Sequence, residues 1–127
     1  MSAGLIRTHE VRRTETPNAV MNTLASPSQG STSGLSMWTA QMRAGQRGPL
    51  HSFDSEQIWH VLHGQVEITI DGEQLRLGVG DTVVVAAGLE RQVTALAETQ
   101  MLVCGYATAV ASVSGEASPR GVPAWIG

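Results

Sequence analysis

The sequence contains no lysine and only one cysteine, Cys104. All eight basic residues are arginines, so Schiff-base chemistry and a lysine general base are excluded within this chain. One cysteine allows neither an intrachain disulfide nor a zinc-finger pattern, and it is typical of a reducing compartment. Cys104 lies in an apolar stretch, where a buried, inert thiol is the common case, and it is also a candidate for lining a pocket.

Long apolar runs and strong charge are missing as well. Residues 1–13 contain no apolar segment of signal-peptide length, and nothing approaches the roughly 20 apolar residues of a membrane span. We therefore expect a cytoplasmic protein without a membrane partner. Only 15% of the residues are charged and the formal net charge is −3, which leaves no basic patch of the kind that binds nucleic acid.

What the sequence does contain is a series of short apolar segments separated by turns. At 127 residues with 42% hydrophobic side chains, the chain is long enough for one domain with a sizeable core. Residues 65–70 alternate between polar and apolar side chains, and Asp71-Gly72 follows as a strong hairpin signal. Further strands are predicted within 5–13 and over 18–25, 35–43, 57–62, 73–77, 82–87, 92–96 and 100–106. This pattern predicts an all-β barrel or sandwich.

The end of the chain differs in composition. Residues 112–127 are small and rich in Pro and Gly, so we predict one domain over 1–111 followed by a C-terminal tail. Trp125 and Ile126 are unusual in a solvated segment and are candidates to anchor it to the barrel or to a partner chain.

Two segments carry a resemblance to a known family. Residues 45–64 read G-QRGPL-H-S-F-DSE-Q-IWHVLH-G, and after fifteen residues 80–95 read G-DTVVV-A-A-G-LE-R-QVT-A. These spacings resemble the two cupin signatures, Gly-x5-His-x-His-x3,4-Glu-x6-Gly and Gly-x5-Pro-x-Gly-x2-His-x3-Asn. The resemblance covers about residues 35–106. It implies a cupin-type double-stranded β-helix, or jelly-roll barrel, of the small single-domain kind.

The resemblance also implies where a metal would bind. Similar cupins hold a divalent metal through two histidines, a glutamate and a third histidine, and these positions correspond here to His51, Phe53, Gln57 and Arg91. Only His51 and Gln57 are candidate ligands, because phenylalanine cannot coordinate and a guanidinium repels a cation. A catalytic metal usually has about three protein ligands. We therefore expect no cofactor, or a weakly held manganese, iron, zinc or nickel ion.

Arg91 and His51 are the predicted catalytic residues. The guanidinium fork of Arg91 suits a carboxylate, phosphate or enolate, although pairing with Glu90, Glu56 or Asp54 at the rim is the alternative. His51 is a candidate acid or base near neutral pH, and the alternative is a hydrogen-bonded pocket histidine with no chemical role.

The predicted substrate-binding side chains surround these two residues: Gln57, Trp59, Phe53, Met42 and Cys104. Strand alternation places Gln57 and Trp59 together on the inner face, whereas His60 points outward, towards a second sheet or a subunit contact. Ordinary core packing is the alternative role for Trp59.

Three functions remain open at this point. The first is a cupin that binds a small anionic or polyketide-like molecule, with lyase, isomerase or cyclase chemistry at His51. The second is a metal-dependent oxygenase or lyase that uses His51 and Gln57. The third is a non-catalytic binding or sensing module. We also expect a homodimer, because such short sheets leave edges to cover and the resemblance points the same way.

Overall fold

The computed structural model describes residues 4–127, so residues 1–3 of the expected domain lie outside the described residues. A short 3-10 helix, Thr8–Glu10, precedes eleven strands, and these strands form two antiparallel sheets. One sheet has six strands in the order β1-β2-β3-β10-β5-β8, and the other has five in the order β11-β4-β9-β6-β7. The strands are β1 Arg12–Glu15, β2 Val20–Ala25, β3 Leu35–Met42, β4 His51–Phe53, β5 Gln57–His63, β6 Gln65–Ile70, β7 Glu73–Gly78, β8 Thr82–Val85, β9 Arg91–Ala95, β10 Thr99–Tyr106 and β11 Ala111–Val113. The all-β jelly-roll prediction is confirmed.

The β6–β7 hairpin shows why the local sequence produces this structure. Val66, Ile68 and Ile70 are buried, and the side chains between them face outward. Asp71 and Gly72 form the turn with φ values of 48° and 81°. Two successive positive φ values are the geometry of the tight hairpin turn that an Asp-Gly pair favours.

The core lies between the two sheets. It is built from inward side chains of both, with Val61, Val66, Ile68 and Val85 fully buried around the two tryptophans Trp38 and Trp59. A single apolar layer therefore joins the sheets, and the cavity described below opens within this layer.

Three segments differ from the sequence prediction. The expected strand within 5–13 begins only at Arg12, after the 3-10 helix, and the short strands β4 and β11 were not predicted. They have three residues each, too few for an alternating pattern to be recognised. They pair with each other through Ala111↔Phe53 and Val113↔His51.

The segment predicted as a C-terminal tail is packed against the barrel. Ser112 and Val113 belong to β11, and Ile126 is fully buried in the core. Hydrogen bonds to the barrel hold the segment: the Thr23 hydroxyl donates to the Trp125 carbonyl at 2.6 Å, and the Ser28 hydroxyl donates to the Gly127 carbonyl at 2.7 Å. Among residues 4–127, no helix is long and apolar enough to cross a membrane.

Candidate functional site

A cavity of about 690 Å³ opens between the sheets. Apolar side chains form most of its wall, and His51 and Gln57 are the polar side chains on its inner part. Its mouth is formed by residues 14–19, which include the β1–β2 turn, and by residues 120–125 of the C-terminal segment. A cavity of this size and lining is typical of a site for a small organic molecule.

Strand register brings the predicted site residues together. His51 on β4 lies directly opposite Arg91 on β9, so both side chains project from the same face of the five-stranded sheet. Phe53 follows two residues after His51 and shares that face. Gln57 and Trp59 project inward from β5 of the opposing sheet. The cavity therefore has His51 and Phe53 on one wall and Gln57 and Trp59 on the other.

The His51 ring is oriented by the backbone. Its Nδ1 lies 2.8 Å from the carbonyl oxygen of Pro49, and a carbonyl can only accept, so Nδ1 carries the proton. In the neutral ring Nε2 then holds the lone pair. Burial lowers the pKa of His51, the charge of Arg91 lowers it further, and the Pro49 hydrogen bond partly opposes both. His51 is therefore a neutral imidazole at pH 7, and its basic nitrogen is Nε2.

The amide of Gln57 is oriented by Trp59. The indole Nε1 of Trp59 donates to Oε1 of Gln57 at 3.0 Å, and because an indole N–H can only donate, the oxygen must be the atom that faces it. The Nε2 group of Gln57 has no hydrogen-bond partner among the described residues, although the side chain is only 2% exposed. Gln57 thus contributes an unsatisfied donor to the cavity wall.

Arg91 is a second buried donor, and it lies beside the lining of the cavity. Its Nε donates to the Leu89 carbonyl at 2.8 Å and its Nη2 to the Ala86 carbonyl at 3.1 Å, which draws the guanidinium towards the β8–β9 turn. The guanidinium carbon lies 5.6 Å from the ring centroid of Phe53 and 5.9 Å from that of Trp59. The sequence predicts that Arg91 faces the ligand; in the structure its guanidinium lies over these two rings, and Arg91 is not among the residues that line the cavity.

The charge of Arg91 has no counterion in residues 4–127. The three ion pairs of these residues involve other arginines, so pairing with Glu90, Glu56 or Asp54 is not observed. Nη1 is buried without a hydrogen-bond partner. Burial lowers the pKa of Arg91 to about 10, so the side chain remains a cation at neutral pH. A fully buried, unpaired cation creates a strong local preference for negative charge.

The remaining predicted residues separate into two groups. Met42 is buried and lines the cavity together with Phe53. Cys104 does not line it, because strand alternation turns its neighbours Met101 and Val103 inward and leaves Cys104 on the outer face of the six-stranded sheet. His60 also faces outward, with its Nδ1 2.7 Å from the Thr82 hydroxyl.

The donor set does not fit a divalent metal. His51 offers Nε2, but the oxygen of Gln57 is turned towards Trp59, and the amide nitrogen that remains is not a ligand. Phe53 has no donor atom, and Arg91 adds a positive charge nearby. Within residues 4–127 no group of three or more His, Cys, Asp or Glu side chains is arranged to hold a metal ion. The residues that correspond to the cupin metal ligands thus provide one usable ligand.

Sequence reasoning missed the residues at the mouth. Trp125 and Val122 line the cavity from the C-terminal segment, and Thr14 and Asn18 line it from the β1–β2 hairpin. The apolar character of Trp125 and Ile126 was the only signal that this segment packs inward. The hydrogen bond between His51 and the Pro49 carbonyl could not be predicted from the sequence, because every residue type has a backbone carbonyl.

Several solved structures have the same fold. Salicylate 1,2-dioxygenase from Pseudoaminobacter salicylatoxidans, in adducts with gentisate, superposes with a TM-score of 0.72 and 18% identity over 83% of this chain and 31% of its own. KdgF from Halomonas sp. superposes with a TM-score of 0.72 and 21% identity, covering 83% of this chain and 94% of its own. A conserved protein of unknown function from Streptococcus pyogenes reaches 28% identity and a TM-score of 0.62 over 72% of this chain and 76% of its own.

The matches to known proteins differ in how much of each chain they cover. The chain spans about a third of the length of the salicylate dioxygenase chain that it matches. No curated protein matches it in sequence. The family model for the Cupin domain, however, matches residues 38–105, which is more than half of the 127 residues. The chain therefore belongs to the cupin family.

Proposed function

We propose that the cavity binds a small organic anion and that His51 exchanges a proton with it. The observation that carries this proposal is a pair of buried, unpartnered donors: Nε2 of Gln57, whose side chain lines the cavity, and Nη1 of Arg91, whose guanidinium lies over the rings of Phe53 and Trp59. Leaving a buried donor unpaired costs about 1–3 kcal/mol, and more for a charged group. A bound carboxylate or enolate offsets this cost, whereas a cation increases it.

Each residue has a separate role in this proposal. Gln57 donates directly to the anion, because its side chain is part of the lining. Arg91 is not part of the lining, so its charge stabilises negative charge in the cavity from a distance and not by direct contact. His51 removes a proton from an acidic C–H or O–H group of the ligand with Nε2 and returns it at another position or to a leaving group. This sequence is balanced without an oxidant and corresponds to isomerase, cyclase or lyase chemistry.

An aromatic carboxylate is the most suitable first probe. The cavity wall includes Phe53, Trp38 and Trp59, and the structure of salicylate 1,2-dioxygenase with the same fold contains gentisate, a dihydroxybenzoate. Salicylate and its neutral analogue salicylamide differ mainly in charge. We expect salicylate to raise the melting temperature by several degrees at saturating concentration, since a ligand at a hundred times its Kd stabilises by about 2.7 kcal/mol. Salicylamide should have a much smaller effect.

Two variants test the role of Arg91. Arg91→Met removes the buried charge and leaves the lining in place, because Arg91 is not part of that lining. It should abolish the preference for salicylate over salicylamide. Arg76→Met is the matched control: Arg76 is exposed and pairs with Glu67, at 3.5 Å, on the outer face of the same five-stranded sheet. Equal binding of the two probes by the wild-type protein would refute the proposed anion site.

Proton transfer by His51 has its own assay. Hydroxy acids and keto acids with an acidic C–H are incubated with the protein in deuterated water, and deuterium incorporation is followed by NMR. His51→Ala should reduce exchange by about 100-fold or more, the usual contribution of a general base, and leave anion binding largely intact. Anion binding without exchange for any acid would instead support a non-catalytic binding or sensing module. A stoichiometric divalent metal in protein purified without chelators would support the oxygenase alternative.

A further inference from the structure

Aromatic side chains are concentrated in the cavity. The sequence contains three Trp, one Phe and one Tyr, and four of these five residues line the cavity. Trp38, Phe53 and Trp59 are buried in the inner part of its wall, and we call them the inner group. Trp125 is partly buried and lies at the mouth. The fifth residue, Tyr106, is exposed on the outer face of the six-stranded sheet. Rings are therefore available to a ligand at two levels of the cavity.

Trp125 is fixed at the mouth through its backbone. Its carbonyl oxygen accepts a hydrogen bond from the fully buried Thr23 hydroxyl at 2.6 Å. The carbonyl oxygen of Ala124 accepts from Nη2 of Arg12 at 3.1 Å, and Ile126 is fully buried in the core. A buried hydroxyl and a cationic donor are strong, directional anchors. Three consecutive residues are thus anchored, which gives the indole ring of Trp125 a defined position at the mouth.

The cavity is larger than a single-ring acid. Salicylate has ten non-hydrogen atoms, which fill at most roughly 300 Å³ if each takes up the volume of one water molecule in the liquid. The cavity has a volume of about 690 Å³. Salicylate bound at Gln57 and His51 therefore leaves more than half of the cavity, including the wall around Trp125, without contacts. Apolar walls that face no partner atoms lose dispersion contacts, so a larger ligand binds more tightly.

We propose that the ligand is an aromatic acid with two rings, in which the second ring contacts the indole of Trp125. This inference rests on the proposed function, because the acid group lies at Gln57 and His51. The first ring then lies within the inner group, and the second ring extends to the mouth. Contact between two aromatic rings contributes about two- to tenfold in affinity beyond the burial of their surface. Trp125 is thus a specificity-determining residue that favours two-ring acids over single-ring acids.

Isothermal titration calorimetry with two isomers tests where the second ring binds. The isomer 4-phenylsalicylate has its second ring at the end of the molecule opposite the carboxylate, so this ring points towards the mouth. We expect it to bind at least about tenfold more tightly than salicylate, since the ring buries apolar surface and contacts Trp125. The matched control ligand is 3-phenylsalicylate, which has the same charge and size but has its second ring beside the acid group. It should bind no more tightly than salicylate.

Two variants of Trp125 test its role. Trp125→Ala should reduce the ratio of the affinities for 4-phenylsalicylate and salicylate by about tenfold, and Trp125→Phe should retain most of this ratio because it keeps a ring. Tyr106→Ala is the matched control and should keep the wild-type ratio, since Tyr106 is 48% exposed and lies outside the cavity. Each ratio is measured on one preparation, so a fraction of unfolded protein cancels. The comparison of the two isomers needs no variant and remains a test if Trp125→Ala does not fold.

The outcomes distinguish this inference from the proposed function. If neither salicylate nor 4-phenylsalicylate binds, the proposed function fails and the inference fails with it. If salicylate binds but 4-phenylsalicylate binds no more tightly, the inference alone is overturned. It is also overturned if 3-phenylsalicylate gains as much affinity as its isomer, or if Trp125→Ala keeps the wild-type ratio. Tighter binding of 4-phenylsalicylate that depends on Trp125 supports both.

Discussion

Replacing Gln57 with glutamate changes one atom of the proposed anion site. The variant keeps the oxygen that accepts from Trp59 at 3.0 Å and exchanges the unpartnered Nε2 donor for a second oxygen. Size and shape are preserved, so no new cavity forms. At pH 7 the site then contains a carboxylate where a bound anion needs a donor.

The magnitude of the effect follows from electrostatics and from a limit set by protonation. Two like charges about 4 Å apart repel by about 4 kcal/mol at an effective dielectric constant of 20. The repulsion cannot exceed the cost of protonating the carboxyl group, which for an ordinary glutamate pKa of about 4.3 is about 3.7 kcal/mol at pH 7. The protonated carboxyl group donates its O–H to the anion, so no loss of a hydrogen bond is added to this limit. Gln57→Glu should therefore weaken salicylate binding by at least about 100-fold at pH 7.

This limit also predicts a pH dependence with a definite sign. Above the pKa of the new carboxyl group, anion binding must take up a proton, so the loss of affinity relative to wild type should shrink by up to about tenfold for each pH unit of acidification. Isothermal titration calorimetry measures the affinity of the wild-type protein and of the variant at the same pH values. The ratio of the two affinities then does not include the effect of His51 titration, which both proteins share. Gln74→Glu, at an exposed position on β7, is the control and should bind like wild type. Unchanged affinity in Gln57→Glu, or a loss that is independent of pH, would refute the assignment of Nε2 as an anion donor.

Three further predictions concern the titration of His51, the missing metal site and a glycine. The ring of His51 should titrate below its ordinary pKa of 6.5, and Arg91→Met should raise the pKa by removing the nearby charge, as measured by NMR of the four histidines. Because the pKa of His51 is lower in the folded than in the unfolded protein, the fold should be most stable above about pH 6.5 and lose stability on acidification. This loss should be smaller in His51→Phe. The triple variant Phe53→His, Gln57→Glu and Arg91→His should bind zinc or nickel in a calorimetric titration in which the wild-type protein shows no binding. Equal binding by both proteins would contradict the conclusion that the wild-type residues do not fit a divalent metal. Gly64→Ala should reduce the free energy of unfolding by several kcal/mol in a denaturant titration, because φ is 84° and a Cβ would lie 2.2 Å from the Glu98 carbonyl oxygen. Gly45→Ala is the control. Its φ is 85° but no atom lies near the added Cβ, so it should cost only about 1 kcal/mol.

The signature spacings account for what could be predicted of the fold and the cavity. The glycines of the two cupin segments and the alternation in β5 and β6 indicated the barrel, and they placed Gln57 and Trp59 on one inner face. This succeeded because strand alternation is a local property. The packing of Ile126 could not be predicted in the same way, because it depends on contacts with distant parts of the chain.

The orientations of the polar groups were beyond the sequence for a related reason. An amide has two possible orientations, and only the hydrogen bond from Trp59 distinguishes them for Gln57. The sequence likewise shows an arginine at position 91, but its direction is set by the carbonyls of Leu89 and Ala86. Both effects depend on distances of about 3 Å, which a spacing pattern does not contain.

The three residues that differ from the cupin ligand set, Phe53, Gln57 and Arg91, are best explained together. Arg91 in place of a ligand histidine brings a permanent charge into the core, and Phe53 in place of another supplies a ring 5.6 Å from that charge, a contact that offsets part of the desolvation cost. A glutamate at position 57 would neutralise Arg91, whereas glutamine leaves the charge uncompensated and adds a donor of its own. Because Arg91 and Gln57 favour an anion and Phe53 supplies no metal ligand, replacing Arg91 or Gln57 alone by the cupin ligand residue should weaken anion binding without creating a metal site.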